Sequence, residues 1–253
     1  MSRRIALFVN GKAGIEISEF LAKNGDQVVL LFLSGQYPEL DHKIQEIFLG
    51  LDERRIHFGD LRRELGIFKE VFNEAKVDTI ITVYWPFLLP REIIGPCTLT
   101  VNFHPALLPL NRGWYPHVHN ILDGSRAGVT LHKLSEFPDE GDIWVQKEVK
   151  VYPWDLASDL YSRLQREIVD LFIANWHLIQ ANKIAPFSQM SELSSYHKKS
   201  ELLNLDFLDL DKSYKGHDFL NLLRARTFGE KGFAYFLYDG KKIYVRVLFK
   251  RDE

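Results

Sequence analysis

A single cysteine, Cys97, in 253 residues excludes an intrachain disulfide and leaves any zinc site with at most one thiolate. A reducing, cytoplasmic setting is the expectation. No excess of charge is present either: 32 Lys and Arg against 34 Asp and Glu give a formal net charge of -2. A chain so balanced has no bulk attraction for phosphate backbones, so nucleic acid is not an expected partner. Long apolar runs are missing; the best candidate, from Asp155 to Ile184, is broken by charges and falls short of the roughly 18 to 20 apolar residues that span a bilayer. No membrane association is expected. The opening MSRRIALFVNGKAGIE has an apolar run only a strand long, without the core of an export signal. Neither GxGxxG nor a Walker A loop occurs, which removes support for a nicotinamide or ATP site.

What is present is an ordinary globular composition, 46% hydrophobic, arranged in alternating periods. Short β-branched runs separated by amphipathic stretches are the pattern of strands joined by crossover helices in a parallel sheet. Strands are expected at Arg4 to Val9, Gln27 to Leu33, Arg55 to Phe58, Thr79 to Tyr84 and Thr98 to Phe103, with helices at Gly14 to Asn24, Leu40 to Leu49 and Asp60 to Ala75. Further strands are expected at Gly128 to Lys133 and Ile143 to Val151, then a long helix from Asp155 to Asn182. Ser188 to Ser200 reads as a polar linker or an excursion over the surface, and the remainder as a helix near His217 to Arg224 followed by a hairpin, Phe233 to Tyr238 and Lys242 to Leu248, turning at Asp239-Gly240.

Two places carry chemistry. The turn Asn10-Gly11-Lys12-Ala13-Gly14 after the first strand offers backbone N–H groups and a cation for phosphate, though a turn of this kind is also ordinary structure. In VNFHPALLPLNRGWYPH, residues 101 to 117, Asn102 and His104 stand two apart on a strand and therefore share a face. An amide can donate to a developing oxyanion and an imidazole can take and return a proton near neutral pH. Trp114 and Tyr115 read equally as packing beneath the loop or as an apolar platform for a sugar ring. His117 and His119 have metal-ligand spacing, but no cysteine or ordered carboxylate pattern completes a site, and no metal is expected.

The run Asn102-Phe103-His104-Pro105-Ala106-Leu107-Leu108-Pro109, then Arg112-Gly113, Ala127 to His132 and Asp139-Glu140-Gly141-Asp142-Ile143, resembles the folate-dependent formyltransferases. Ala106 stands where that family commonly has serine. Ser195 to Lys199, Leu205 to Lys212, Leu222 to Phe228 and Ala234 to Lys242 are similar to the branch that formylates amino sugars carried on nucleotides. The resemblance implies an α/β chain: a Rossmann-like formyltransferase core with a mostly parallel sheet in residues 1–184, and a small C-terminal α+β extension, residues 185–253, ending in a β-hairpin. It implies formyl transfer from N10-formyltetrahydrofolate to a nucleotide-linked amino-deoxy sugar, a dTDP-3- or 4-amino-dideoxyhexose, for surface-polysaccharide synthesis. By the same resemblance Asn102, His104 and Asp139 are catalytic; Phe87, Leu88 and Leu89 of Tyr84 to Pro90, with Asp139, bind the folate; and Gly11, Lys12, Arg112, Trp114 and Tyr115 bind the sugar nucleotide.

Within this chemistry phosphoribosylglycinamide and methionyl-tRNA are rival acceptors. A tRNA-binding appendage would be strongly basic, whereas residues 185–253 hold twelve basic against ten acidic side chains. A catalytically silent folate- or nucleotide-binding protein is the alternative outside enzymes. A homodimer is implied by the family and by the free edge of the C-terminal hairpin.

Overall fold

The computed structural model describes residues 3–250 and 252. In chain order the elements are β1 (Arg4–Val9), α1 (Gly11–Asn24), β2 (Gln27–Leu33), α2 (Pro38–Ile47), β3 (Ile56–Phe58), α3 (Leu65–Glu74), β4 (Thr79–Val83), α4 (Arg91–Ile94), β5 (Leu99–His104), β6 (Arg112–Gly113), α5 (Pro116–Asp123), β7 (Ala127–His132), β8 (Ile143–Val149) and α6 (Ala157–Gln180). There follow β9 (Tyr196–His197), α7 (Glu201–Leu205), α8 (Gly216–Ala225), and the short strands β10 (Thr227–Phe228), β11 (Lys231–Gly232), β12 (Tyr235–Tyr238) and β13 (Lys241–Tyr244).

The main sheet has seven strands in the order β3-β2-β1-β4-β5-β7-β8. Strands β3 to β5 run parallel, and β7 lies antiparallel to β5. The α/β fold with a mostly parallel sheet is therefore as expected, with the C-terminal hairpin β12–β13 turning at Asp239-Gly240. The chain leaves β1 toward β2 on one side and reaches β4 on the other, so the order reverses between β1 and β4. Crevices at such switch points, beyond the carboxyl ends of the strands, are where α/β sheets bind ligands.

Burial explains the elements. Every residue of β4 is buried, which accounts for its unbroken Thr-Ile-Ile-Thr-Val sequence. On α6, Leu160, Leu164, Ile168, Phe172, Trp176 and Ile179 form one fully buried stripe at helical spacing. Phe8 and Phe32, on paired strands, stack at 4.2 Å within a cluster that includes Phe68, Phe72, Ile80 and Leu89. Among the described residues no helix is long and apolar enough to cross a membrane.

By their contacts the described residues fall into two compact units. One comprises the chain up to His104 with Thr130–Gln146 and Ile168–Gln189; the other comprises Pro105–Val129, Lys147–Glu167 and the chain from Met190.

Several expectations need correction. Helix α1 starts at Gly11, so Gly11 to Gly14 form its first turn rather than a loop before it; Gly11 makes this early start accessible with φ of 71°. The expected helix at Asp60 to Ala75 opens as a 3₁₀ turn, Leu61–Glu64, because Asp60 captures the Arg62 N–H and tightens the entry. The expected linker contains β9, which pairs in parallel with β6. Finally, α5 was not foreseen, since its eight residues are bracketed by Pro116 and Gly124 and are too few to show a period.

Candidate active site

The cluster grows out of β5 and its neighbours. Parallel register puts Thr82 of β4 opposite Asn102, and antiparallel register puts His132 of β7 opposite it on the other side. Each neighbour holds one end of the amide. The Thr82 hydroxyl donates to Asn102 Oδ1 at 2.6 Å, while Asn102 Nδ2 donates to His132 Nε2 at 2.9 Å. His132 can accept there because its Nδ1 sits 2.8 Å from the Lys133 carbonyl, a pure acceptor, so the proton is on Nδ1. Amide polarity is thereby fixed, with nitrogen toward the cluster.

His104 and His132 are buried, and the Asp139 carboxylate reaches them from the loop after β7. Its Oδ1 lies 3.4 Å from His104 Nδ1, 3.5 Å from Asn102 Nδ2 and 3.6 Å from His132 Nε2. The last contact joins a carboxylate to an unprotonated nitrogen and is not a hydrogen bond; the first lets His104 Nδ1–H point at Asp139. Asp139 adopts left-handed φ of 57°, a conformation with a cost for a non-glycine residue that must be maintained by its surroundings. The clamp is visible: Gln189 Nε2 donates at 2.8 Å to the carbonyls of both Asp139 and Gly141. Gly141 is required sterically, since a Cβ there would fall 1.9 Å from the Lys133 carbonyl oxygen.

The other expected site residues divide between the two units. Gly11 and Lys12 follow β1, and Tyr84 to Pro90 follow β4, at the carboxyl edge that also carries His104 at the end of β5. Asn10 ties the first two segments, its Nδ2 donating to the Tyr84 carbonyl at 3.2 Å and its Oδ1 accepting from Ser34 at 2.8 Å. Space around the Gly11 Cα is open, and Lys12 is exposed. Phe87 is half-buried against Trp85 and Leu88 is exposed, whereas the Leu89 side chain is committed to the core and has only its backbone to offer a ligand.

In the second unit Arg112 is buried and Trp114 is 41% exposed, with the Lys199 ammonium 5.2 Å from its ring. Tyr115 heads α5 with φ of 55°. His117 and His119 lie on that helix two residues apart, hence on different faces: His117 packs between Tyr161 and Phe228, and His119 stacks flat on His197. Burial lowers the pKa of both, His117 to about 3 and His119 to about 4. His119, His197 and Glu201 lie close enough to be considered as metal ligands.

Sequence reading missed Thr82, His132 as the amide's partner, and Gln189. Only the pairing register reveals the first two, and only the return of the chain after α6 reveals the third.

The chain is similar to several known proteins. A family model described as formyl transferase matches residues 62–175, and one described as N-formyltransferase dimerization C-terminal domain matches residues 201–251. The dTDP-4-amino-4,6-dideoxyglucose formyltransferase of Mycobacterium tuberculosis is 33% identical over 179 residues, covering 70% of this chain and 76% of that protein. A 4-N formyltransferase from Francisella tularensis has a similar structure, with a TM-score of 0.83 at 26% identity over 99% of each chain. A sugar N-formyltransferase from Shewanella sp. gives 0.84 at 25% identity, again over 99% of each.

Proposed function

The chain belongs to the formyltransferases, and from that premise we propose that it moves a formyl group from N10-formyltetrahydrofolate to the amine of a nucleotide-linked amino sugar, a dTDP-4-amino-dideoxyhexose being the first acceptor to test. The observation that carries the reading is the convergence of Asn102 and His104 on Asp139, with the amide nitrogen turned toward that carboxylate. The relative named for dTDP-4-amino-4,6-dideoxyglucose and the 4-N formyltransferase structure support the choice of acceptor.

In the proposed mechanism the unprotonated sugar amine attacks the formyl carbon, and His104 takes the proton that the new C–N bond releases. With Asp139 on Nδ1, Nε2 is the nitrogen that works. Asn102 Nδ2 turns one N–H to the oxyanion, and collapse breaks the bond to N10, which leaves protonated as tetrahydrofolate. Asp139 orients the imidazole and stabilises its charged form. Phe87, Leu88 and the Leu89 backbone, with Asp139, are the proposed folate contacts; Gly11, Lys12, Arg112, Trp114 and Tyr115 are the proposed acceptor contacts.

We further assign residues 1–184 as the catalytic domain and 185–253 as a C-terminal extension, a division compatible with the two matched models. The C-terminal hairpin exposes Leu237, Tyr238, Ile243 and Tyr244, which supports a homodimer through that extension. A cytoplasmic location fits the lone cysteine. The deciding assay offers a panel of nucleotide-linked amino sugars with N10-formyltetrahydrofolate. Tetrahydrofolate release with a matching formamido sugar supports the reading; ligand binding without product refutes it in favour of a silent binder.

A further inference from the structure

His197 holds the ends of the 111–115 loop from across β6 and β9. Its carbonyl accepts the Trp114 N–H at 3.0 Å, and its neighbour Ser195 accepts the Arg112 N–H at 2.9 Å. Gly113 passes so close that a Cβ would lie 2.4 Å from the His197 carbonyl oxygen. The ring then reaches back to the start of the loop, placing Nε2 3.0 Å from Asn111 Oδ1 and Nδ1 3.0 Å from Glu201 Oε2. Asn111 itself has φ of 55° and is buried, a posture that needs external support.

Both ring nitrogens of His197 therefore face acceptors. The Asn111 amide is placed with Oδ1 toward the ring: Nδ2 donates to Ser125 Oγ at 3.0 Å, and Ser195 Oγ, which receives the Asn111 backbone N–H at 2.8 Å, donates to Oδ1 at 3.4 Å. Two acceptors require two N–H donors, which only an imidazolium supplies. The surroundings accommodate that charge. His119 lies parallel to the ring at 3.5 Å and is held neutral, and Glu201 receives the Lys198 N–H as well as His197. The charged groups that act on His119 are His197 and Arg226, which oppose its protonation, and Glu201 and Asp123, which favour it.

We propose that His197 is a positioning residue for the acceptor-binding loop, clamped as an imidazolium between Asn111 and Glu201, so that affinity for the sugar nucleotide depends on its protonation. The inference rests on the assignment of Arg112, Trp114 and Tyr115 to the acceptor. A metal centre on His119, His197 and Glu201 is the competing reading, and the ring geometry opposes it: nitrogen lone pairs lie in the ring planes, and two rings stacked at 9° cannot both aim at one ion.

Two measurements on the full chain test it. Nitrogen-15 spectra of the ligand-free protein, assigned with His197→Asn, should show protons on both ring nitrogens of His197, and Glu201→Gln should leave only one of them protonated. A neutral His197 at pH 7, or zinc binding that raises the melting temperature of wild type but not of His119→Phe, overturns the clamp. In turnover, Glu201→Gln should raise KM for the sugar nucleotide about tenfold, the loss of one charge-assisted hydrogen bond, with kcat and the folate KM retained. A fall in kcat at unchanged KM overturns the positioning role. If wild type forms no formamido sugar, the proposed function fails, while the nitrogen-15 result still decides the charge on His197.

Discussion

Asn102 is the residue whose chemistry is most completely determined by its neighbours. Replacing it by Ala removes the proposed oxyanion donor and should lower kcat by about 10² to 10³-fold, with the folate KM little changed, as measured by tetrahydrofolate release. Asn102→Asp keeps the shape but puts a second carboxylate 3.5 Å from Asp139 Oδ1 and an acceptor against His132 Nε2; it should be no better than Ala. Cys97 illustrates the opposite case. Desolvation pushes its thiol up to about 12, so it should resist alkylation at pH 8 in the native protein and react rapidly once unfolded, a contrast read by mass spectrometry.

At the scale of elements, the Asp139 loop depends on two contacts distant from the acid. Gly141→Ala drives a methyl into the Lys133 carbonyl and should displace Asp139, abolishing most turnover while the global melting temperature changes less. Gln189→Ala removes both clamping hydrogen bonds and should lower kcat with a smaller effect, checked by the same assay. Strand parity let the sequence show that Asn102 and His104 share a face, because that depends on one strand alone. It could not show Thr82 or His132, since register between strands is set by the whole sheet. The positions of β1 to β5 along the chain were legible in the same local way, each strand bounded by its own turn signals. Elements of two residues, β6 and β9, were not: pairing over such a length has no period, and it exists because Asn111, Ser195 and His197 hold it.

For the whole molecule, pH stability follows from the buried histidines. Their folded pKa values lie below the ordinary 6.5, at about 3 for His117 and about 4 for His119. An unfolded chain binds these protons as pH drops below 6.5, and the folded chain does not. Their contribution is therefore fully present above about pH 6.5 and is lost as pH falls toward those values, with a slope of about 1.4 kcal/mol per pH unit for each histidine. His117→Phe should flatten the acid limb of a denaturation series by up to one proton. The exposed hairpin gives a second prediction: light scattering should return twice the chain mass, and Tyr238→Glu with Tyr244→Glu should return the single-chain mass.

The hydroxyl of Thr82 has a consequence beyond holding an amide. Without it, as in Thr82→Val, the strand and the core survive and His132 and Asp139 still hold the amide nitrogen in place, but Asn102 Oδ1 is left with no hydroxyl to accept from. The amide would keep its polarity and lose part of its fixity. Such a variant should bind its ligands normally and turn over more slowly, its defect lying in how firmly one N–H is aimed rather than in whether it is there.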